Sequence, residues 1–375
     1  MLKTGLYFHI PFCKQACSYC NFHFSTQLKN MDDLVSALCI ETEQRSTDNL
    51  IGSIYFGGGT PSLLKEKHWL EIQYSINKYF PNHALDEFTI EVNPEDITVT
   101  NLKTWNTIGV TRLSIGIQSL NDAELVWMNR VHNSEQASNS IKMAQENGFK
   151  NISIDLIYGG PLKTDDAWEN ELTWAFKQNI QHISAYALTI EPKTRLEYEI
   201  SKGKSPELQD ERMVSQFNIL QTEMLKNGWD SYEISNYSLP GFNAIHNARY
   251  WDRMPYIGIG PGAHSFNGRE IRRWNVANNA RYIECLNIGR QFWEDEELNA
   301  NNILNEYIMT AIRTSKGIDL HKINSFDSRW SVANQKIIES FITKELLLKR
   351  EESLILTNEG KLVSDYITSE LMIVD

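Results

Sequence analysis

Cys13, Cys17 and Cys20 are spaced by four and three residues, so one loop can wrap all three thiolates round a compact metal group. Clustering of that kind is unsuited to a secreted disulfide framework, and five cysteines in total leave one unpaired. Three ligands are the informative number. A cubane iron-sulfur cluster has four irons, so three protein thiolates leave one iron open to an exchangeable ligand. The competing reading is a structural zinc clip with His9 or His23 as fourth ligand, because closed sites of mixed cysteine and histidine are tetrahedral. Cys39 and Cys285 stand alone in apolar runs and read as buried thiols.

The residues that position this loop follow an alternating pattern. Short β-rich runs recur at residues 5–10, 53–56, 88–92, 112–117, 151–158 and 182–190. Helically spaced segments lie between them, among them 32–43, 65–79, 134–147 and 165–177. Alternation implies parallel strands with crossover helices. Six such units predict an α/β fold with a partial (β/α)6 barrel of the TIM type, whose reactive rim gathers at the C-terminal ends of the strands. The unusual polar residues fall where that rule asks. Gly57-Gly58-Gly59-Thr60 follows the second strand, Glu91 closes the third, Gln118 closes the fourth, and Asp155 and Ala187 lie late in the fifth and sixth. A zinc clip needs none of these.

The organisation expected is a core over 1–228, a β-containing extension over 229–300 that closes the barrel mouth, and a smaller, mainly helical, winged-helix-like domain over 301–375. With 36 basic against 48 acidic side chains the net charge is -12, which opposes attraction to nucleic acid. No run approaches the ~20 apolar residues of a spanning helix, and the N-terminus lacks a leader pattern, so a cytoplasmic protein without an integral membrane segment is expected.

The CxxxCxxC triplet directly after a first strand resembles the signature of the radical S-adenosylmethionine (SAM) superfamily. The flanking Tyr7-Phe8-His9-Ile10-Pro11-Phe12, then Gly57-Gly58-Gly59-Thr60-Pro61-Ser62, Glu91-Val92-Asn93-Pro94-Glu95 and Gly116-Ile117-Gln118-Ser119, look like the branch containing oxygen-independent coproporphyrinogen III oxidase and the heme chaperone HemW. The resemblance implies a [4Fe-4S] cluster on Cys13, Cys17 and Cys20, with the amine and carboxylate of SAM chelating the open iron. It puts Tyr7, Tyr19, Gly58, Gly59, Thr60, Glu91, Gln118, Arg130, Asp155 and Ala187 at SAM-contacting positions. Reductive cleavage of SAM to a 5'-deoxyadenosyl radical is the chemistry of the superfamily, and an electron donor such as flavodoxin or ferredoxin is implied with it.

Within that branch, three features separate the chaperone type from the oxidase, which decarboxylates two propionates of coproporphyrinogen III to vinyl groups. Phe22 stands where the oxidases carry a fourth cysteine, the extension before the cluster is missing, and His246-Asn247-Ala248-Arg249-Tyr250-Trp251 matches an HNxxYW motif. The resemblance therefore implies a heme-binding protein that delivers heme to an acceptor, such as a respiratory membrane complex, with the oxidase as the alternative enzyme. Heme contact is expected at His246, Tyr250 and Trp251, with His246 as candidate iron ligand and His264 ranked below it. Gly160 replaces the usual leucine of both relatives, which predicts a looser loop after the fifth strand. No feature requires a homodimer, and none excludes one.

Overall fold

In the computed structural model, which describes residues 3–373, six parallel strands form the expected open barrel: β1 (Thr4–Ile10), β2 (Ile51–Gly58), β3 (His83–Val92), β4 (Arg112–Gln118), β5 (Ile152–Tyr158) and β6 (His182–Ala187). Met1, Leu2, Val374 and Asp375 lie outside the described residues. Helices α1 (Met31–Gln44), α2 (Glu66–Tyr79), α3 (Val99–Thr107), α4 (Asp122–Trp127), α5 (Ser134–Glu146) and α6 (Asp165–Phe176) run between the strands, and α7 (Arg195–Ser201) and α8 (Asp210–Lys226) follow the sixth.

Period-two alternation sorts each strand into an apolar and a polar side. Leu6, Phe8 and Ile10 of β1, with Ile54 and Phe56 of β2 and Phe88 and Ile90 of β3, are buried in the apolar core that also takes Trp69, Trp105 and Trp168 from α2, α3 and α6. The alternate residues are Tyr7, His9, Ser53, Tyr55, Glu87, Glu91, Arg112, Ser114, Asp155 and Ser184. The barrel is thus dry on its helix side and polar within. Side-chain oxygens at Thr98, Asn121, Asn133, Thr164 and Thr194 accept first-turn N–H groups and fix where the helices begin.

The stretch beyond α8 extends both edges of the sheet, and its first helix packs where the strands begin. β7 (Asp230–Ser231) and β8 (Asn236–Ser238) continue the sheet past β6, with β8 antiparallel to it. After α9 (Ile245–Trp251), β9 (Tyr256–Ile259) joins β1 in parallel, and an antiparallel run of β10 (His264–Phe266), β11 (Ile271–Asn275) and, after α10 (Asn279–Asn287), β12 (Trp293–Glu297) completes twelve strands. Glu87 accepts the backbone N–H groups of Ile245 and His246 at 2.8 and 3.1 Å, and Arg249 donates to the Lys3 carbonyl at 2.8 Å. These contacts dock α9 where the strands begin. The fit is close at Gly5, where a Cβ would lie 3.2 Å from the His246 ring and push it by a few tenths of an ångström.

From α11 (Ala300–Ala311) onward the chain gathers a separate apolar core that includes Leu304, Ile308, Trp330, Phe341, Leu354 and Ile367. Helices surround a small antiparallel sheet of β13 (Ile318–Asp319), β14 (Leu347–Arg350) and β15 (Ser353–Leu356), an arrangement of winged-helix type.

The loop after β5 is not loose. Gln216 accepts from the Gly159 N–H at 2.7 Å, Arg212 donates to the carbonyls of Gly160 and Pro161, and the buried Lys163 ammonium pairs with Glu124 and Glu171. Tethers from α4, α6 and α8 outweigh the backbone freedom a second glycine confers.

A cysteine-lined cavity at the strand ends

Parallel register brings the chemistry-bearing loops together. Ile10 lies opposite Gly58, so the cysteine loop and the triple glycine emerge side by side. One cavity of about 530 Å³ opens at this end, and its wall includes Cys13, Cys17, Tyr19, Cys20, Gly58, Gly59, Thr60, Glu91, Gln118, Arg130, Asp155 and Ala187. Of the expected SAM positions only Tyr7 is absent from that wall. Its hydroxyl hydrogen-bonds His9 Nδ1 at 3.1 Å and its ring lies against Tyr55, below the cavity floor.

All three thiols are free of disulfides and partly exposed. Thr60 donates to Cys13 Sγ at 3.5 Å and Arg130 Nη1 to Cys17 Sγ at 3.4 Å. Burial pushes the Cys13 thiol up to about 11, with the neighbouring cysteines adding to it, and burial raises Cys20 as well. Cationic iron supplies the charge that makes thiolate ligands favourable in such surroundings.

The polar wall is held from behind. Arg130 Nη2 donates to Asn93 Oδ1 at 2.7 Å and to the Gly116 carbonyl at 2.9 Å. Tyr55 donates to Glu91 at 2.7 Å, and Ser114 to Asp155 at 3.3 Å. Burial raises both carboxyls, Glu91 up to about 7. Gln118 reaches the cavity from a left-handed backbone, φ 67°, at a register shift between β4 and β5. Gly58 has φ 103°, and a Cβ on Gly59 would meet the Ile10 and Phe12 backbone at 2.7–2.8 Å, so the turn admits no side chain and leaves its amides free to approach a ligand.

Of the histidines offered for a zinc clip, His9 has both ring nitrogens engaged and His23 has one. His9 Nε2 is bonded to the His23 carbonyl at 2.9 Å, and His23 Nε2 to Asn279 at 2.7 Å. Among the described residues no three of His, Cys, Asp and Glu are gathered tightly enough for a single ion. Three thiols on a cavity of this size, faced by acceptors for an amine and ribose hydroxyls, fit a larger cluster with a nucleotide beside it. Cys13, Cys17 and Cys20 would hold the cluster, and that pair, when bound, would supply the chemistry of reductive sulfonium cleavage. On the wall of that cavity Glu91 offers a carboxyl that can accept from an amine, and Arg130 is fixed beside Cys17.

Two relatives are similar end to end. The heme chaperone HemW of Bacillus subtilis is 30% identical over 96% of this chain and 97% of its own length. HemW of Mycobacterium tuberculosis strain H37Rv is 30% identical over 98% and 94%. The chain belongs to the HemW family of radical SAM proteins. A family model described as the radical SAM superfamily matches residues 7–175, spanning β1 to α6. The mouse mitochondrial radical S-adenosyl methionine domain-containing protein 1 is 29% identical over 99% of this chain and 87% of its own. Among solved structures, Escherichia coli coproporphyrinogen III oxidase superposes with a TM-score of 0.86 at 20% identity, over 99% of this chain and 90% of that one. It shares the fold.

The HNxxYW residues are elsewhere. His246 is fully buried, with Nδ1 bonded to Ser53 at 2.9 Å and Nε2 to the Tyr250 hydroxyl at 2.9 Å, and its ring stacks on Tyr55. Burial pulls it down to about 3, so it is neutral. Gly5, its neighbour on β1, precedes the cavity end of that strand by roughly 17 Å. Iron ligation by His246 therefore does not fit this conformation, because both ring nitrogens are engaged and the side chain is fully buried. Tyr250 is turned inward with it, and Trp251 borders a separate cleft with Met309, Arg313 and Met372. Sequence reasoning passed over Tyr186, Leu188, Thr189 and Glu191 on the cavity wall. Glu191 accepts from Asn21 at 2.9 Å and ties the cysteine loop to the end of β6, a contact with no local sequence signal.

Proposed function

We propose that this protein is a heme chaperone: it holds a [4Fe-4S] cluster on Cys13, Cys17 and Cys20, binds SAM against Gly58, Gly59, Thr60, Glu91, Gln118, Arg130 and Asp155, and passes heme to an acceptor protein. The observation that carries this reading is the end-to-end similarity, at 30% identity, to proteins named heme chaperone HemW. Phe22 supports it: 69% exposed at the cavity mouth, it stands where the oxidase type has its fourth cysteine. An acceptor such as a respiratory membrane complex, an electron donor such as flavodoxin or ferredoxin, and a cytoplasmic location belong to the same proposal. Among the described residues no helix is long and apolar enough to cross a membrane.

Anaerobic reconstitution followed by parallel assays of heme binding and coproporphyrinogen turnover tests the reading. Stoichiometric heme retention without a vinyl product is expected. Turnover with consumption of SAM would make the protein a coproporphyrinogen III oxidase instead.

A further inference from the structure

A second hollow, about 360 Å³ and half-open, lies on β10–β12 and is walled in part by His264, Trp274, Trp293, Arg281 and Gly262. His264 and Trp274 are register partners on adjacent strands, with ring centroids 6.2 Å apart and 32° between planes. The imidazole is exposed, and neither ring nitrogen has a hydrogen-bond partner among the described residues. Partial burial, with the Arg272 cation nearby, holds it below the usual histidine range, so near neutral pH it carries the free lone pair a metal requires. Arg281 is exposed and makes no ion pair among the described residues, which leaves its guanidinium open to a carboxylate. Gly262 backs this hollow onto the cluster loop: a Cβ there would lie 3.5 Å from the His23 Cβ, three residues after Cys20.

We infer that this hollow seats an iron-bearing, flat, anionic macrocycle, with His264 on the iron, Trp274 standing against the edge of the ring and Arg281 on a propionate. The inference rests on the heme-chaperone reading and moves the site from the HNxxYW helix to the β10–β12 face. Its size is at the lower end for small-molecule pockets, so it holds one edge of a porphyrin and leaves the rest open, as release to an acceptor requires. His246, fully buried, offers no such access.

Titration of the anaerobically reconstituted protein with ferric heme, read by visible absorption and electron paramagnetic resonance, tests the site. His264→Gly should lose the imidazole-ligated spectrum and raise the heme Kd at least about tenfold, with iron and sulfide content unchanged, and added imidazole should restore the spectrum through the open hollow. An unchanged spectrum in His264→Gly, or a loss that imidazole fails to restore, overturns the inference while heme binding by the wild type leaves the chaperone reading intact. No heme binding by the wild type itself sinks both.

Discussion

At the residue scale the cavity depends on charges that burial disfavours. Glu91 is drawn up to about 7 because it is fully enclosed, although the Tyr55 hydroxyl donates to it. The carboxylate accepts from the N–H of an iron-bound SAM amine more strongly than the neutral acid does, so binding favours loss of the proton the free protein holds below that pH. Affinity for SAM should therefore rise from pH 6 to pH 8 and level off above it. Calorimetry of the reconstituted protein measures this, and Glu91→Gln should bind at least about tenfold more weakly with a flatter pH profile. A wild-type affinity independent of pH across that range would remove Glu91 from the amine site. Arg130 is constrained differently: with Asn93, the Gly116 carbonyl and Cys17 all engaged, it is a fixed positive element beside the cluster rather than a mobile clamp.

At the level of elements, turns without side chains set the cavity. A methyl group on Gly59 would strike main-chain atoms of Ile10 and Phe12, which cannot swing aside as a side chain could. Gly59→Ala should displace the cysteine loop and weaken SAM binding by about tenfold or more, roughly 1.4 kcal/mol, as titration would show; wild-type affinity would mean the turn can shift freely. The same scale explains what the sequence made readable. Strands β1–β6 and the cysteine loop were legible because alternation and strand-end polarity are local patterns. The helix α3 was not: Val99, Thr100, Asn101 and Thr104 are weak helix formers, and burial of Leu102 and Trp105 decides it. Nor was the placement of the HNxxYW helix, whose partners Ser53, Glu87 and Lys3 are about 160 to 250 residues away in the chain. An aromatic motif announces that something is contacted, not which end of a barrel it faces.

Over the whole molecule, the C-terminal segment is fastened to the sheet extension through Glu306 of α11, which pairs with both Arg253 and Arg272 while their guanidinium groups lie over Phe266 at 5.0 and 4.7 Å. Removing the carboxylate leaves two neighbouring, partly buried cations uncompensated. Glu306→Gln should cost about 1–2 kcal/mol, visible as a lower denaturation midpoint, with cluster content unaffected in the folded protein. An unchanged midpoint would mean the interface is held by apolar contact alone. The cysteine-lined cavity thus lies at one end of the polar barrel interior, and α9 packs at the other.

The most direct test is metal and sulfide analysis of anaerobically reconstituted protein, with and without SAM, beside a Cys17→Ala variant. Wild-type chains should hold about four irons and four sulfides, give a reduced-state paramagnetic signal that SAM alters, and lose both with the cysteine. Zinc as the sole bound metal, with no uptake of iron and sulfide, would contradict the account.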